Sequence, residues 1–466
     1  MSDARSLVDW LNLVDAWLWG RFLVILLVGI GLFFTIRFRG MQFRFLAYSL
    51  KLAFTRQDEG SAGDISQFQA LMTALAATIG IGSIAGVATA IAAGGFGAVF
   101  WMWIIALIGM VTKFIEAILA VKYRVVDQNG QMSGGPMYYI AHGLGWKWLG
   151  VLFAIFGALS AFAGGNLIQA NSITAAVSAV TPFSPVWIGV FLSVVTAVAL
   201  LGGIKSIGKI SSYLVPIMAL TYVVGGVLII LFKIDQVPAG IMAILTTAFT
   251  GQAAFGGFLG ASVMAAVQMG VARGVSSNEA GLGSAPIAAA AAKTDVPGRQ
   301  ALISMSGVFL SSLVVCSITA LVIAVTGVLG KVGADGKALN GARLVMEAFH
   351  TVIPGGDLLV TICLILFGYT TMVGWAYYGE RCMEFLAGRK ALLGYRVVFC
   401  LFAFMGAVMS FELVWPLADI MNGLMALPNL IGIIGLTSII TIETRSFFDF
   451  LERERLSKPG FVEKGI

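Results

Sequence analysis

"TALAATIGIGSIAG", residues 73–86, lies inside a long apolar run that contains Gly80, Gly82 and Gly86 but no charged residue. Glycine in a helix interior costs about 1 kcal/mol relative to alanine. Two glycines one residue apart therefore indicate a break in the helix. Inside a membrane a break leaves backbone N–H and C=O groups unpaired, which is tolerable only where they line a cavity or meet a ligand. The alternative is that these glycines only permit close helix packing.

The composition assigns the chain to the membrane. Of its 466 residues 59% are hydrophobic and 11% charged, and its mean hydropathy is +0.95, whereas soluble domains carry about 25% charged residues. Apolar runs long enough to cross a hydrocarbon core of about 30 Å recur along it. We therefore predict an all-α polytopic membrane protein with no sizeable soluble domain.

Eleven membrane spans are predicted, with an N-terminal part (1–62), a ten-helix core (63–440) and a tail (441–466). The N-terminal part combines a surface helix, an extra span and an inner amphipathic segment at 42–56. The stretch 329–356 contains a predicted outer capping helix. The eleven spans are 19–36, 67–92, 97–121, 148–180, 185–203, 211–232, 258–293 (broken), 300–328, 357–379, 391–411 and 417–440.

The distribution of basic residues predicts the orientation. Twenty of the 29 Lys and Arg residues fall in segments that are inside if the N-terminus is outside, and six fall in outer segments. Because cytoplasmic loops are enriched in Lys and Arg, we expect an external N-terminus and a cytoplasmic C-terminus. The basic residues lie in short loops, so the net charge of +6 does not indicate nucleic-acid binding.

The opening stretch is repeated, with changes, later in the chain. "GIGSIAGVATAIAAGG" (80–95) is similar to "GLGSAPIAAAAAKTD" (281–295), and the predicted spans that hold them run in opposite directions. Interrupted spans at matching places of two inverted halves point to the binding site of a secondary transporter. We therefore predict an inverted repeat, with one half at about 63–232 and the other at about 258–440.

Longer motifs carry a family resemblance over essentially the whole chain. They are "GDISQFQALMTALAATIGIGSIAGVATAI" (63–91), "GGFGAVFWMWIIALIGM" (94–110), "SGGPMYYI" (133–140), "GVARGVSSNEAGLGSAPIAAAAAKTD" (270–295) and "TTMVGWAYYGERCMEFL" (370–386). Together they resemble the alanine/glycine:cation symporter family. The resemblance implies a leucine-transporter-type fold of ten core helices, here with one extra N-terminal helix. It also implies sodium- or proton-driven uptake of small neutral amino acids.

The sequence departs from the family pattern near the presumed site. The family commonly has Gly-Thr-Gly-Asn where this chain has Gly80-Ile81-Gly82-Ser83. Ala289 stands where a histidine is common, and Phe96 replaces a proline. The changes at Ile81 and Ser83 bear on substrate choice and on the number of ions.

The expected substrate site centres on the first break. Half-helix N-termini attract a carboxylate, so backbone N–H groups of the break are the predicted ligands. Asn166 and Gln169 lie three residues apart on one predicted helix face; Gln169 is the preferred ligand, with interhelical hydrogen bonding as the alternative. Asn278 is a candidate amide ligand, and Trp375 a candidate wall for the amino-acid side chain, or else a packing residue. The predicted substrate-binding residues are Thr78, Gly80, Ile81, Gly82, Gln169, Asn278 and Trp375.

A sodium site is implied by the resemblance at the threonine pair of "GYTTMVGW". Sodium is a hard cation that prefers oxygen ligands, which backbone and hydroxyl groups supply without added charge. A threonine can also bond a carbonyl of its own helix. The implied sodium ligands are Ala76, Ile79, Phe367, Thr370 and Thr371.

Four polar residues are candidates for a gate or remain of open role: Ser83, Arg273, Ser277 and Glu279. A carboxylate is expensive in lipid, so Glu279 should face a cavity or a partner. It is interpreted either as a residue near the substrate ammonium or as a partner of Arg273 or part of the inner rim.

Other charged residues have simpler interpretations. Lys113 and Glu116, three residues apart, are predicted to neutralise each other. Glu380 and Arg381 are expected at the cytoplasmic gate. The two histidines lie outside the apparent core, and the four cysteines lack metal-type spacing, so no metal cluster or histidine relay is predicted.

The favoured function is Na⁺-coupled import of alanine, glycine or a similar small neutral amino acid by alternating access. A proton-coupled symporter, with Glu279 as carrier, and a non-transporting amino-acid sensor are the alternatives. The absence of clustered His, Cys or Asp argues against a membrane enzyme. We expect Na⁺ as the coupling ion, or else H⁺, and no organic cofactor. The expected partners are the amino acid and the lipid bilayer of a bacterial inner membrane, with neither nucleic acid nor an obligate protein partner.

Overall fold

The computed structural model describes residues 2–55, 61–127, 130–201, 203–254, 258, 260–333 and 336–456. These residues form a bundle of α-helices, with one hairpin of two short antiparallel strands, Val125–Val126 and Met132–Ser133. The α-helices are Ser2–Trp17, Leu23–Arg37, Met41–Ala53, Gln67–Thr78, Val87–Gly94, Gly97–Lys122, Pro136–Tyr138, Lys147–Phe162, Ile168–Val180, Pro185–Leu200, Gly203–Phe232, Val237–Thr250, Val263–Asn278, Pro286–Ala290, Pro297–Val308, Ser317–Thr326, Gly341–His350, Gly356–Ala387, Leu392–Val408, Phe411–Gly435 and Thr437–Leu456.

Short irregular turns join several of these helices into longer rods. A π-helical turn is a local bulge that is frequent at functional sites. The π-helical segments are Leu18–Phe22, Gly82–Gly86, Tyr139–Gly143, Ala163–Leu167 and Phe309–Cys316, and the 3₁₀ turns are Ile234–Gln236 and Arg389–Ala391.

Eight helices in the described part of the chain are long and apolar enough to cross a membrane. A ninth candidate is the pair Gln67–Thr78 and Gly82–Gly94, which bends by 51° at its break. The two remaining predicted spans correspond to the shorter helix Pro185–Leu200 and to the interrupted pair Val263–Asn278 and Pro286–Ala290. Every predicted span therefore contains helix.

The pair that ends at Gly94 will be called the first broken helix. It begins at a capping box, in which the Ser66 hydroxyl accepts from the Gln69 N–H at 3.1 Å and the Gln69 side chain accepts from the Ser66 N–H at 3.0 Å. Such a box satisfies two otherwise unpaired donors at a helix start. The helix stops at Thr78, because Ile79 leaves helical geometry with φ −82° and ψ 69°.

The pair Val263–Asn278 and Pro286–Ala290 will be called the second broken helix. Its break is longer: Glu279 adopts a left-handed conformation, and Gly281 and Gly283 have φ of +89° and +82°. L-residues rarely adopt such angles, whereas glycine does so without a steric penalty. The second Gly-x-Gly of the internal repeat therefore also interrupts its helix.

The two broken helices are held together at one end of the bundle. Ile65 and Ala292 form an isolated parallel β-bridge, with the Lys293 N–H donating to the Ile65 carbonyl at 2.8 Å. The helix Gly97–Lys122 packs closely on Val263–Asn278, where Cβ atoms at Gly270 or Gly274 would collide with it. Small residues at such contacts let membrane helices approach.

The N-terminal segment differs in detail from the expected separate surface helix. Ser2–Trp17 runs through the π-helical turn Leu18–Phe22 into Leu23–Arg37, so the two predicted elements form one continuous rod. The Trp19 indole donates to the Asp419 carbonyl at 3.0 Å, which ties this rod to the helix Phe411–Gly435.

Two amphipathic helices meet at the end of the bundle predicted to be cytoplasmic. Met41–Ala53 lies within the predicted inner segment, and Thr437–Leu456 forms much of the predicted tail. Their Phe45 and Phe448 rings stack with centroids 5.2 Å apart. Ion pairs Lys122–Glu443 and Arg299–Glu454, at 2.6 and 2.9 Å, fasten the tail helix to the bundle. At the other end, the predicted capping helix is Gly341–His350.

Candidate substrate and sodium site

A small cavity lies at the first break, deep in the bundle. It offers about 20 Å³ to the centres of water-sized molecules, which is room for about one water. Its walls come from both broken helices and from four further helical elements. The lining residues are Ala77, Thr78, Gly80, Gly82, Gly164, Ile168, Gln169, Ser276, Trp375, Trp415 and Asn422. Five of the seven predicted substrate residues are among them; Ile81 and Asn278 are not.

Gln169 bridges the break directly. Its Oε1 accepts from the Ile81 N–H at 3.3 Å, and its Nε2 donates to the Gly164 carbonyl at 3.0 Å. The backbone of the break therefore presents an N–H that a side-chain oxygen already satisfies. The carboxylate of a ligand could replace that oxygen, because both groups accept hydrogen bonds.

A π-helical turn, Ala163–Leu167, forms the wall opposite the break. The bulge changes the angular phase of the helix, so Asn166 and Gln169 do not share a face as their spacing suggested. Asn166 donates instead to the Phe399 carbonyl at 2.6 Å, away from the cavity. A Cβ at Gly165 would overlap Trp375, so glycine there allows the indole to lie against the turn. Trp375 thus packs tightly and also lines the cavity.

The predicted sodium ligands make two separate contacts near the break, and Thr370 also faces the Met218 sulfur at 3.7 Å. The Thr371 hydroxyl donates to the Ala76 carbonyl at 2.8 Å, and the Thr370 hydroxyl donates to the Phe367 carbonyl at 3.1 Å. Thr371 also lies so close to Gly80 that a Cβ there would collide with its hydroxyl. All these groups are buried neutral oxygens, a donor set that suits a hard monovalent cation. Ile79 follows directly at the end of the helix.

A buried ion pair lies behind Trp415, one of the residues that line the cavity. The Arg273 guanidinium makes a two-pronged contact with the Asp419 carboxylate, with Nη1 to Oδ1 at 2.8 Å. The same guanidinium lies over the Trp415 ring, 4.8 Å from its centroid. The suggested ion pair between Arg273 and Glu279 is wrong: Arg273 turns to Asp419, because Glu279 lies beyond the end of its helix in a left-handed conformation.

A second set of buried polar groups lies near Trp375, which lines the cavity. Glu279 Oε2 accepts from the Ser284 hydroxyl at 2.8 Å, and Lys113 Nζ donates to the Asn278 carbonyl at 2.7 Å. Glu116 Oε1 accepts from the Asn429 amide at 2.6 Å. In the described part of the chain Lys113 and Glu116 form no direct ion pair, but their opposite charges attract each other over a longer distance, so their mutual neutralisation stays a prediction.

Comparison with known proteins now identifies the family. The sequence profile described as the sodium:alanine symporter family matches residues 4–461. This chain belongs to that family. It is 51% identical over 453 residues to the sodium/alanine symporter AgcS of Methanococcus maripaludis, covering 96% of this chain and 98% of the relative. An uncharacterized transporter of Haemophilus influenzae is 48% identical over 445 residues, covering 95% of this chain and 96% of the relative.

Solved structures support the same fold. A Na⁺-coupled sialic acid symporter superposes with a TM-score of 0.54 at 14% identity, over 84% of each chain. A mutant of a manganese transporter of Eremococcus coleocola gives 0.50 at 15% identity, over 83% of this chain and 81% of that chain. The expected leucine-transporter-type fold is confirmed. Because the chain belongs to the sodium:alanine symporter family, it is a secondary transporter rather than an enzyme.

Asn278, Ser277 and Ser83 have structural partners in this family member. Asn278 Oδ1 accepts from the Ala280 N–H at 2.9 Å and its Nδ2 donates to the Ser312 hydroxyl at 3.2 Å, so the amide supports the second break. Ser277 donates to the Gly274 carbonyl at 2.9 Å. The Ser83 hydroxyl reaches the Thr78 carbonyl at 3.4 Å and so bridges the first break.

A cluster that we call the inner clamp closes the bundle at the joined ends of the broken helices. It consists of Arg124 and the chain segments 62–65 and 290–294. The Arg124 guanidinium donates to the carbonyls of Ala290 (3.0 Å), Ala292 (2.7 Å), Ala62 (3.0 Å) and Thr294 (2.7 Å). Burial lowers the pKa of this guanidinium, and the nearby carboxylates of Asp295 and Asp64 oppose that effect.

A neighbouring network contains the predicted cytoplasmic gate residues. Arg381 pairs with Asp127 at 2.8 Å and with Glu384 at 2.7 Å, while Glu380 accepts from Arg396 at 2.6 Å. The sequence places Glu380 and Arg381 together at the predicted gate only because they are adjacent in the chain. In the structure each has a separate partner of opposite charge.

Sequence reasoning missed the contribution of the helix Phe411–Gly435. Trp415 and Asn422 line the cavity, Asp419 pairs with Arg273, and Asn429 accepts a hydrogen bond from the Tyr139 hydroxyl. A signal was present, because Asp419, Asn422 and Asn429 repeat at helical spacing on one face of an otherwise apolar span. Polar and ionisable residues in a span deserve a functional interpretation by default.

Proposed function

We propose that this protein imports alanine, or a similarly small neutral amino acid, together with sodium. The observation that carries the proposal is the first break, where the helix bends by 51° beside the Gln169 side chain and the Thr371–Ala76 contact. Its close relative of Methanococcus maripaludis is described as a sodium/alanine symporter. The cavity in this form has room for about one water, so it has to widen before even a small amino acid can enter.

The proposed roles divide between two adjacent groups. The substrate carboxylate would displace the Gln169 Oε1 atom from the Ile81 N–H, and Trp375 would pack against the substrate side chain. Sodium would bind the carbonyl oxygens of Ala76, Ile79 and Phe367 and the hydroxyl oxygens of Thr370 and Thr371. Because the two groups share the break, sodium would order the backbone that receives the carboxylate, which links the ion gradient to the solute.

The test is uptake of radiolabelled alanine into proteoliposomes, with sodium and proton gradients imposed separately. We expect accumulation driven by an inward sodium gradient, and no accumulation driven by a proton gradient alone. One charge moving across 100 mV supplies about 2.3 kcal/mol, which is enough for tens-fold accumulation. Accumulation that requires only the proton gradient would overturn the choice of ion, and binding without uptake would indicate a sensor.

We further propose that the protein lies in a bacterial inner membrane, with the N-terminus outside and the C-terminus in the cytoplasm. The excess of basic residues in the predicted inner segments supports this orientation. A fluorescent protein that folds only in the cytoplasm should therefore be bright when fused after Ile466. An alkaline phosphatase that is active only in the periplasm should be inactive at the same position, and activity there would reverse the orientation.

A further inference from the structure

Lys113, Glu116 and Glu279 form a charge cluster that the proposed alanine and sodium binding does not use. Their exposed fractions are 3%, 0% and 1%. They come from the helix Gly97–Lys122 and from the break of the second broken helix. The other titratable groups that face them are the hydroxyls of Tyr139 and Tyr378, both fully buried as well. One ammonium and two carboxyl groups therefore share a buried site, in which Lys113 interacts electrostatically with both carboxyl groups.

The charges of this cluster do not balance if all three groups are ionised. Two carboxylates and one ammonium leave a net charge of −1 in an apolar interior, where an uncompensated charge is very costly. The surroundings make the imbalance larger. Lys113 Nζ donates to the Asn278 carbonyl at 2.7 Å, at the C-terminal end of the helix Val263–Asn278, which carries partial negative charge. That position also favours the charged ammonium.

Each carboxyl group has one oxygen with hydrogen bonds and one without. Glu116 Oε1 accepts from the Asn429 amide at 2.6 Å and from the Gly281 N–H at 3.1 Å. Glu279 Oε2 accepts from the Ser284 hydroxyl at 2.8 Å. Within the described part of the chain, Glu116 Oε2 and Glu279 Oε1 are buried and have no hydrogen-bond partner. Two unsatisfied carboxylate oxygens in one buried cluster are the second sign that a positive group is missing.

We propose that this cluster is a proton-binding site, in which Glu279 carries one proton and Glu116 is ionised. The hydrogen bonds decide between the two groups. Glu116 faces three N–H donors, those of Asn429, Gly281 and Gly283, which stabilise a carboxylate, whereas Glu279 faces only the Ser284 hydroxyl and the Trp375 indole in the described part of the chain. A proton on Glu279 removes one negative charge and leaves one carboxylate for one ammonium. The cluster is then neutral.

A second sodium ion fits this site less well than a proton does. The polar atoms around the two carboxyl groups are mostly donors: the Lys113 ammonium, the Asn429 amide, the Gly281 N–H and the Ser284 hydroxyl. A metal cation would be repelled by the ammonium and would have to displace these donors. A covalently held proton neutralises a carboxylate without either cost.

The position of the site connects it to the substrate cavity. Glu116 holds the backbone of the second break through the Gly281 N–H. The indole of Trp375, which lines the cavity, approaches the Glu279 carboxyl group. The proton therefore stabilises the observed conformation of the second break. Its site is distinct from the sodium site at Thr370 and Thr371.

Infrared spectroscopy of the purified full-length protein tests the proposal. Glutamate labelled with ¹³C at its carboxyl carbon moves the C=O band of protonated glutamic acid away from that of protonated aspartic acid. At neutral pH the unaltered protein should show the intensity of one protonated glutamic acid. No such band, or the intensity of two, would overturn the proposal without the use of any variant.

Variants that change the number of charged groups in the cluster then show which residue carries the proton. Glu279→Gln leaves one carboxylate and one ammonium, so the labelled band should vanish, and Glu116→Gln should have the same effect. Lys113→Met should double the band, because both carboxyl groups must then be neutral. Glu443→Gln removes a carboxylate of a half-exposed ion pair and should leave the band unchanged. A band that persists at full intensity in folded Glu279→Gln protein places the proton elsewhere and contradicts the assignment.

Discussion

At the scale of single residues, the two glycines of the first break have different neighbours. A Cβ at Gly80 would collide with the Thr371 hydroxyl, whereas a Cβ at Gly82 would meet the Ser276 carbonyl at 3.5 Å, an ordinary contact. We expect Gly80→Ala to displace that hydroxyl and to lower the apparent sodium affinity about tenfold, or ~1.4 kcal/mol. The measurement is the initial rate of alanine uptake against sodium concentration.

Gly82→Ala is the matched control for this prediction. It adds the same methyl group two residues along the same break, and it should leave the sodium affinity within about twofold of the parent value. An equal loss in both variants would show that the break tolerates no side chain at all. In that case the contact between Gly80 and Thr371 would not explain the glycine.

A larger side chain at Gly82 tests the cavity itself. Gly82 lines a space with room for about one water, so leucine there would fill the approach to the broken backbone. We expect Gly82→Leu to abolish alanine binding while the protein still inserts and stays monodisperse. Calorimetric titration with alanine at saturating sodium measures this, and retained affinity would move the substrate site away from the break.

At the scale of elements, the sequence predicts breaks better than it predicts partners. A break is a local property, because Gly80 and Gly82, like Gly281 and Gly283, weaken a helix wherever it packs. A partner is not. The residues Trp415 and Asn422 reach the cavity from a distant part of the chain. Their spacing marks one face of a helix but does not say which helix that face meets.

Two local predictions failed for geometric reasons. The π-helical turn Ala163–Leu167 shifts the helix phase, which turns Asn166 towards Phe399 while Gln169 faces the break. The left-handed Glu279 carries its carboxyl group out of the helix that holds Arg273. Regular 3.6-residue periodicity cannot anticipate either change, because each depends on a local departure from the α-helix.

The inner clamp gives a prediction at this scale. Arg124 donates to four backbone carbonyls at the joined ends of the broken helices. Arg124→Met should remove those four hydrogen bonds and favour opening of the clamp. We expect amide hydrogen exchange in residues 64–65 and 293–294 to accelerate about tenfold or more, since local opening sets exchange rates.

Lys122→Met is the matched control for the clamp. Lys122 lies two residues before Arg124 but forms a half-exposed ion pair with Glu443, and exposed pairs contribute about 0–1 kcal/mol. Its loss should leave exchange at the clamp close to that of the parent. Unchanged exchange in Arg124→Met would mean that the backbone bridge between Ile65 and Ala292 closes this end without the arginine.

At the scale of the whole molecule, the cavity lies between two buried charge clusters. On one side Arg273 and Asp419 meet against Trp415, and on the other Lys113, Glu116 and Glu279 approach Trp375. Both indoles line the cavity. The small volume and the intact inner clamp describe a form closed at both ends. We expect alternating access to open the inner clamp in one step and the Arg273–Asp419 pair in another.

The number of ions determines the charge moved in each cycle. The resemblance places an amide side chain in the first break of most relatives, where it could serve a second sodium ion. Here that position is Ser83, whose hydroxyl reaches the Thr78 carbonyl, and Ile81 offers only backbone atoms. The proposed sodium site at Thr370 and Thr371, by contrast, has every oxygen ligand that the resemblance implies. We therefore expect one sodium ion per amino acid and one net charge per cycle.

Thr371→Val tests this stoichiometry and the site together. Valine keeps the shape of threonine but removes the hydroxyl that contacts the Ala76 carbonyl, so a bound cation loses one ligand. A buried polar group left without its partner costs about 1–3 kcal/mol, so the apparent sodium affinity should fall about tenfold or more. Alanine affinity at saturating sodium should change much less, because the Ile81 N–H and Gln169 are untouched. Uptake measured against sodium concentration should give a Hill coefficient near one in the parent. A coefficient near two, or an unchanged sodium dependence in the variant, would show that the essential cation binds elsewhere.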